Sequence, residues 1–532
     1  MGFFFSCLVY LNKHNPKKMK NFIIILIVLF SSCNAVENDI QNSYKEKYRP
    51  QFHFSPPSGW MNDPNGMFYL NGNYHLFYQH YPDDNVWGPM HWAHAISKDL
   101  IHWENKPIAI YPDGNNYIFS GSAIVDKNNK SGLGDGNNPP ILAFYTNHDM
   151  FLERMWNETK EDKYIHVETQ HIAYSQDLGK TWKKYDKNPI IDNPGFRDYR
   201  DPKVTWSEEY KKWFITLAAR DRIIFYSSEN LIDWEFISEF TGIGEMNGVW
   251  ECPDLFPLVD EEGNKKWVLF VSINKSSPNG GSGTQYFIGD FNGKDFIVDD
   301  NFLGDEKSIW IDYGSDNYAG VTWNNTSDNL KSRKFIGWMS NWKYGQMVPT
   351  SKWRSAMTIP RDITLIKNSD KYRLKFSSID LQKIESESYK GKIVDELKLD
   401  KNLNRILISE ISTDSFEINL KNDSENLTIK FSSETFEINR GNYLTDKNFN
   451  DKKRTLEVET FRKRFINKQK AKFNSKVSSL ELLLDNSSIE LFVNDGELVM
   501  SDVFFYDSKF DVVEFSGLNN SVINHKILKS IW

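Results

Sequence analysis

Three carboxylates stand in compact polar motifs far apart along the chain. Asp63 lies in Trp60-Met61-Asn62-Asp63-Pro64-Asn65-Gly66, Asp201 in Arg200-Asp201-Pro202, and Glu251 in Glu251-Cys252-Pro253. Turn preferences account for the Asn, Pro and Gly around Asp63. They do not account for the two later motifs. Two carboxyl groups with opposite protonation states are what acid–base and nucleophilic chemistry on a glycosidic bond requires. Cys252 has no histidine or other base in its motif, so it is not a nucleophile candidate; it packs beside Glu251 with at most a minor tuning effect. His91 and His94 have the look of a metal pair, but on a strand they face opposite sides. No Cys/His set completes a zinc site, and no Walker lysine follows Gly280-Gly281-Ser282-Gly283. No metal or cofactor is expected.

Residues so distant need a scaffold that gathers them. The chain has 532 residues, room for two or more domains, and 15% aromatics, a composition suited to β cores and to sugar faces stacked on rings. From 48 to 365, short apolar-aromatic runs alternate with Asn, Asp, Gly and Pro turns, without long helical periodicity. Five runs look like copies of one strand: Tyr74–Tyr78, Ile141–Tyr145, Trp213–Leu217, Trp267–Val271 and Phe335–Met339, spaced by roughly 55–70 residues. A second element recurs behind them, at Ser97–Trp103, Ser175–Trp182 and Ser227–Trp234. It matches the Asp box of sialidases and reads as a structural hairpin turn. Five copies of a multi-strand unit predict a five-bladed β-propeller over 48–365, with the inner strands aiming residues 63, 201 and 251 into a central funnel. Lys, Ser and Glu rise from 366. A linker is expected over 366–389, with a short helix at Phe376–Ser388, and then alternating strands forming a β-sandwich over 390–532. The expected fold class is therefore all-β.

The N-terminus reads as an export signal over 1–33. Lys17-Lys18-Met19-Lys20 is basic, Phe22–Phe30 is too short an apolar run to span a bilayer, and Ser31-Ser32-Cys33 follows. This resembles a bacterial lipoprotein signal with Cys33 as the lipidated residue, Met19 as the true start and 34–47 as a flexible tether. The expected localisation is secreted and lipid-anchored at a bacterial cell surface or in the periplasm, touching membrane only through Cys33. With Cys7 and Cys33 in or beside this segment, Cys252 alone remains in the folded body, which excludes a disulfide framework. A net charge of −8 without a basic, aromatic-interleaved block argues against a nucleic-acid partner.

The three motifs, in this order and with their flanks over 48–532, resemble glycoside hydrolase family 32, the invertase, inulinase and levanase group. The stretch Asp485–Gly496 resembles that family's C-terminal sandwich, and Gln346–Met357 resembles bacterial levanases and exo-inulinases. The resemblance implies a retaining enzyme that releases fructose from levan, inulin or sucrose through a covalent fructosyl-enzyme. It implies Asp63 as nucleophile, Glu251 as acid/base and Asp201 as transition-state stabiliser. Asn62, Gln79 and Ser120 would hydrogen-bond the fructosyl unit, Arg200 would offer donors to it and keep Asp201 charged, and Trp87, Phe119 and Trp338 would wall the pocket. Arg197-Asp198 is a second Arg-Asp pair; the Arg-Asp-Pro pattern selects Arg200 and Asp201, although Tyr199 replaces the usual Phe. Asp63 must be ionised, so turn N–H groups and Asn62 are expected to lower its pKa; burial and Asp63 are expected to raise that of Glu251. The rival readings are a fructosyltransferase, a different propeller glycosidase such as a sialidase or arabinanase, and a non-catalytic glycan-binding lipoprotein. Linkage preference and oligomeric state are not legible.

Overall fold

The computed structural model describes residues 44–326, 330–368, 370–400, 402–441 and 459–532. The expected signal, Cys33 and most of the expected tether lie outside the described residues. The described residues divide between two units, 44–49 and 50–532. In the first, an Arg49–Glu46 ion pair at 2.9 Å closes a turn. The second is an all-β body, a five-bladed propeller followed by a sandwich.

Five antiparallel sheets of four principal strands stand around one axis. Their innermost strands are β1 (Gly59–Leu70), β2 (Asn116–Val125), β3 (Tyr199–Ser207), β4 (Trp250–Val259) and β5 (Tyr318–Thr322). Each lies against the next and β5 returns to β1, so the ring closes. Trp353-Arg354, from the last blade's connection, adds in parallel to Gly59-Trp60 and fastens the closure. Large apolar side chains such as Trp60, Trp250, Trp323 and Phe335 fill the layers between blades, all with no exposed surface. Burying a side chain of this class stabilises by about 1.5–3 kcal/mol. The outer hairpins close on Asp-box turns. Ser97 Oγ accepts from Leu100 N (2.8 Å) and Asp99 Oδ1 from His102 N (2.9 Å); Ser228 and Asn230 repeat the pattern. The third box therefore begins at Ser228, one residue later than the repeat suggested.

All five inner strands carry a β-bulge at the same level. The register slips between Met61 and Pro64, between Ile118 and Gly121, opposite Arg200–Lys203, between Glu251 and Asp254, and between Tyr318 and Val321. A bulge leaves a residue out of the ladder and re-aims its side chain. It also explains the prolines, because Pro64, Pro202 and Pro253 sit where no ladder N–H is required. Asp201, Cys252 and Ala319 take positive φ values of 67°, 46° and 53° at these bulges.

Two departures from expectation concern helices. The expected helix at Phe376–Ser388 is absent: Lys371–Ser378 is the outer strand of the fifth sheet, Gln382–Ile384 a single 3-10 turn, and Glu385–Lys392 the first sandwich strand. Cross-strand pairing with Arg361–Asn368 wins over local propensity there. Conversely, a helix that periodicity missed, α1 (Met150–Thr159), interrupts the second blade; Asp149 caps it by accepting from Phe151 N and Leu152 N.

The sandwich packs two six-stranded sheets. Buried charges tie it to the propeller. Arg361 reaches Glu490 (2.6 Å) and Asp312 (3.0 Å), and His53 reaches Asp485 (2.8 Å) and Glu490 (2.9 Å).

Candidate active site

The five bulges place one polar cluster at the end of the propeller axis. Asp63 is buried. Its Oδ2 accepts from Ser120 Oγ (2.6 Å) and Cys252 Sγ (3.5 Å), and its Oδ1 accepts from Asn62 Nδ2 (3.0 Å). Trp60 Nε1 in turn donates to Asn62 Oδ1 at 2.7 Å, which fixes that amide. Cys252 Sγ lies 3.5 Å from Asp201 Oδ2 as well, and the Cys252 backbone N–H donates to the same oxygen at 2.9 Å. The thiol thus sits between two carboxylates, a larger part than simple packing beside Glu251. Burial pushes its pKa well up, with both aspartates adding to the effect, so it is a neutral donor.

Glu251 precedes this thiol in β4. Its Oε2 accepts from Tyr318 Oη, and Arg200 Nη1 stands 3.5 Å from its Oε1. Burial raises its pKa to about 7; Arg200 and Tyr318 oppose that, and Asp63 adds to it. For Asp63 the outcome differs from expectation. Desolvation outweighs the donors from Ser120, Asn62 and Cys252, and its pKa is raised, not lowered. Asp201 is raised well above the carboxylate range, by burial first and then by Glu251. Three acids this close cannot all ionise. Glu251, with one hydroxyl donor, is the better place for the proton, and Asp63, with three side-chain donors, the better place for the charge.

Arg200 also differs from expectation. It forms no hydrogen bond or ion pair with Asp201, although its charge favours that carboxylate's ionised form against burial and Glu251. Its Nη2 donates to Asp198, its Nε lies 3.4 Å from Glu168 and its Nη1 faces Glu251. Burial works against its charge, and Glu168, Asp198 and Glu251 outweigh that effect. Arg197 turns away to Glu153 on α1 at 2.8 Å, so the first Arg-Asp pair contributes only Asp198 to the cluster, through Arg200.

Gln79 is buried beside Asn65; with the Asn65 amide turned to satisfy its neighbours, its oxygen accepts from Gln79 N and Nε2, both at 3.0 Å. Trp87 is half-buried, edge-on to Phe119 with centroids 6.1 Å apart, and Phe119 stacks on His148 at 4.2 Å. Trp338 does not stand at a surface: it has 0% exposure and lies behind Trp60, Tyr318 and the half-buried Trp342. Trp342, stacked on Trp60 at 5.9 Å between centroids, is the more exposed of the two.

Sequence reasoning missed Tyr318, Glu168 and His148. Tyr318 precedes Ala319-Gly320, and a glycine inside a strand run is a bulge signal that marks it in retrospect. Glu168 is held at about 2: burial opposes its charge, but Arg200 and His148 outweigh it. Its His148 partner is 3.1 Å away, and nothing local in the sequence marks either residue. Among the described residues, no group of three or more His, Cys, Asp or Glu is arranged to hold a metal ion, and no helix is long and apolar enough to cross a membrane.

Comparison with known proteins gives a consistent result. The model of the glycosyl hydrolases family 32 N-terminal domain matches residues 53–376, and that of the family 32 C-terminal domain matches 363–527. A levanase from Bacillus subtilis is 41% identical, over 97% of this chain and 76% of its own length. An invertase from Schizosaccharomyces pombe is 34% identical over 92% of this chain and 86% of its own. The crystal structure of an exo-inulinase from Aspergillus awamori superposes with a TM-score of 0.81 and 32% identity, covering 92% of this chain and all of that one.

Proposed function

The chain belongs to glycosyl hydrolase family 32, and on that premise we propose that it releases fructose from β-fructans and sucrose with retention of configuration. Asp63 attacks the anomeric carbon of a terminal fructosyl unit while Glu251 gives its proton to the departing glycosidic oxygen. The C–O bond to the leaving sugar breaks as the bond to Asp63 forms. Glu251, now ionised, takes a proton from water, whose oxygen attacks the same carbon and frees Asp63. Asp201 holds fructosyl hydroxyls and, in its ionised form, which Arg200 and the Cys252 N–H favour, meets the positive charge that develops in the transition state. Asn62, Gln79 and Ser120 hydrogen-bond the sugar; Trp87 and Phe119 wall it, backed by Trp338.

The observation that carries this reading is the unequal treatment of two neighbouring acids. Burial raises both, but Asp63 takes three side-chain donors, whereas Glu251 takes one hydroxyl, from Tyr318. That division is what a nucleophile and an acid require. Incubation with levan, inulin and sucrose, followed by chromatography, tests it. Free fructose from the first time point, lost in Glu251→Gln, supports exo-hydrolysis. Short oligosaccharides mean endo cleavage, longer products from sucrose mean transfer, and no fructose product overturns the reading.

The protein acts outside the cytoplasm, tethered by a lipid on Cys33, with Ser31-Ser32-Cys33 as the support. Membrane fractionation of Cys33→Ser checks this; release into the soluble fraction is expected, and an unchanged distribution contradicts it. The boundary between the two domains falls at 379–384, where the fifth blade has ended and the sandwich has not begun.

A further inference from the structure

Leu498–Val503 is the edge strand of one sandwich sheet. A bare edge is a liability, and this one is covered by a propeller loop, residues 312–317, that runs directly into β5. Tyr313 N donates to Val499 O (2.8 Å) and Asp316 N to Ser501 O (3.0 Å). The loop's two aspartates imitate strand carbonyls. Asp312 accepts from Ser501 N (2.8 Å) and Ser501 Oγ (2.7 Å), and Asp316 Oδ2 from Val503 N (3.0 Å). Arg440, also in the sandwich and fully buried, clamps Asp316 Oδ2 at 2.7 Å, while Tyr344 Oη holds Asp316 Oδ1 at 2.8 Å. The seam is tight: a Cβ on Gly314 would stand 2.2 Å from Ser501 O and 2.3 Å from Ser501 N. Two residues past Asp316 comes Tyr318, the hydroxyl donor to Glu251.

We propose that the sandwich edge positions Tyr318 through this loop, so that Gly314, Asp316, Ser501 and Arg440 are positioning residues for the acid/base Glu251. The C-terminal domain then does more than brace the propeller: it helps set the protonation of a residue that it does not touch. The inference rests on the reading of Glu251 as the acid.

The test is the pH dependence of kcat/KM on a fructan for wild type, Tyr318→Phe, Gly314→Ala and the double variant. Glu251 works protonated, so activity falls on the basic side as it ionises. Tyr318 stabilises its carboxylate. Losing that donor raises the pKa and moves the basic limb up, by about one pH unit for Tyr318→Phe. Gly314→Ala displaces the loop and is expected to move the same limb in the same direction by about half as much. In the double variant the limb should lie where Tyr318→Phe alone puts it, because both changes act through one hydroxyl. Ser501→Ala, which removes only one hydroxyl from the seam, serves if Gly314→Ala does not fold. A seam variant that lowers Tm but leaves the limb in place overturns the proposal, as does a double variant whose shifts add. A wild type that releases no fructose fails the functional reading itself and the proposal with it. A normal wild type beside unmoved variants fails the proposal alone.

Discussion

Ser120→Ala isolates the force that keeps Asp63, the proposed nucleophile, ionised. Burial pushes the Asp63 pKa up, and the Ser120 hydroxyl, 2.6 Å from Oδ2, is the strongest of the donors opposing it. A hydrogen bond to a charged group contributes about 1.5–3 kcal/mol, and one pKa unit corresponds to about 1.4 kcal/mol. Removing the hydroxyl should therefore raise the Asp63 pKa by about 1–2 units. The nucleophile acts ionised, so the acidic limb of the kcat/KM profile should move up by that amount, while the basic limb, which follows Glu251, moves little. The assay is initial fructose release across roughly pH 3–9, which spans both limbs. An acidic limb that does not move, or a basic limb that moves instead, would refute the assignment of charge to Asp63 and proton to Glu251.

Other consequences follow from the same groups. Glu251 is raised to about 7 from 4.5, so its ionised form opposes folding, and the loss of stability sets in as pH rises from the lower value through the higher. Glu251→Gln should accordingly raise stability by about 2–3 kcal/mol at pH above 7, seen as a higher Tm, while activity collapses; a lower Tm would contradict it. Arg200→Lys cannot face Asp198, Glu168 and Glu251 together, and we expect kcat/KM to fall about 100-fold or more; near-normal turnover would mean that the fork geometry is dispensable. In the domain interface, Glu490→Gln leaves Arg361 and His53 without their shared carboxylate and should cost about 3–5 kcal/mol in denaturant unfolding. The pH dependence of that interface has a definite sign. Burial resists charge on His53, but Asp485 and Glu490 push it up to about 9 from 6.5; burial resists charge on Glu490, but Arg361 and His53 hold it at about 2 against 4.5. The Glu490 contribution is complete above 4.5 and lost as pH falls toward 2. That of His53 is complete below 6.5 and lost as pH rises through 9. The cluster is therefore most stabilising between 4.5 and 6.5, and a wild-type Tm with no maximum near that window would contradict the account.

The propeller was legible because its repeats are local. Runs such as Trp213–Leu217 and Trp267–Val271 carry β-branched and aromatic residues with turns at both ends, and five of them at one spacing specify blades. The motif carboxylates were legible because their three motifs, in this order, resemble those of family 32, and each stands in a strand run where turn residues would not be expected. The structure explains why: they occupy bulges, and the bulges turn Asp63, Asp201 and Glu251 toward one another. What stayed hidden depends on contacts between distant strands. Tyr318 matters through Glu251, Glu168 through Arg200, and Cys252 through two aspartates. The protonation of Asp63 was read with the wrong sign because the local donors were visible and the burial was not. The helix expected at Phe376–Ser388 failed for the same reason, since pairing with Arg361–Asn368 is a tertiary fact.

The central claim is that Asp63 becomes covalently fructosylated and that Glu251 is needed to release the sugar. Glu251→Gln should be mixed with a fructosyl donor whose leaving group needs no protonation, quenched, digested and analysed by mass spectrometry. The account predicts that a peptide containing Asp63 gains the mass of one anhydrofructose unit, and that the gain disappears when Asp63→Asn is added. Turnover without any adduct, or an adduct on Asp201 instead, would contradict it.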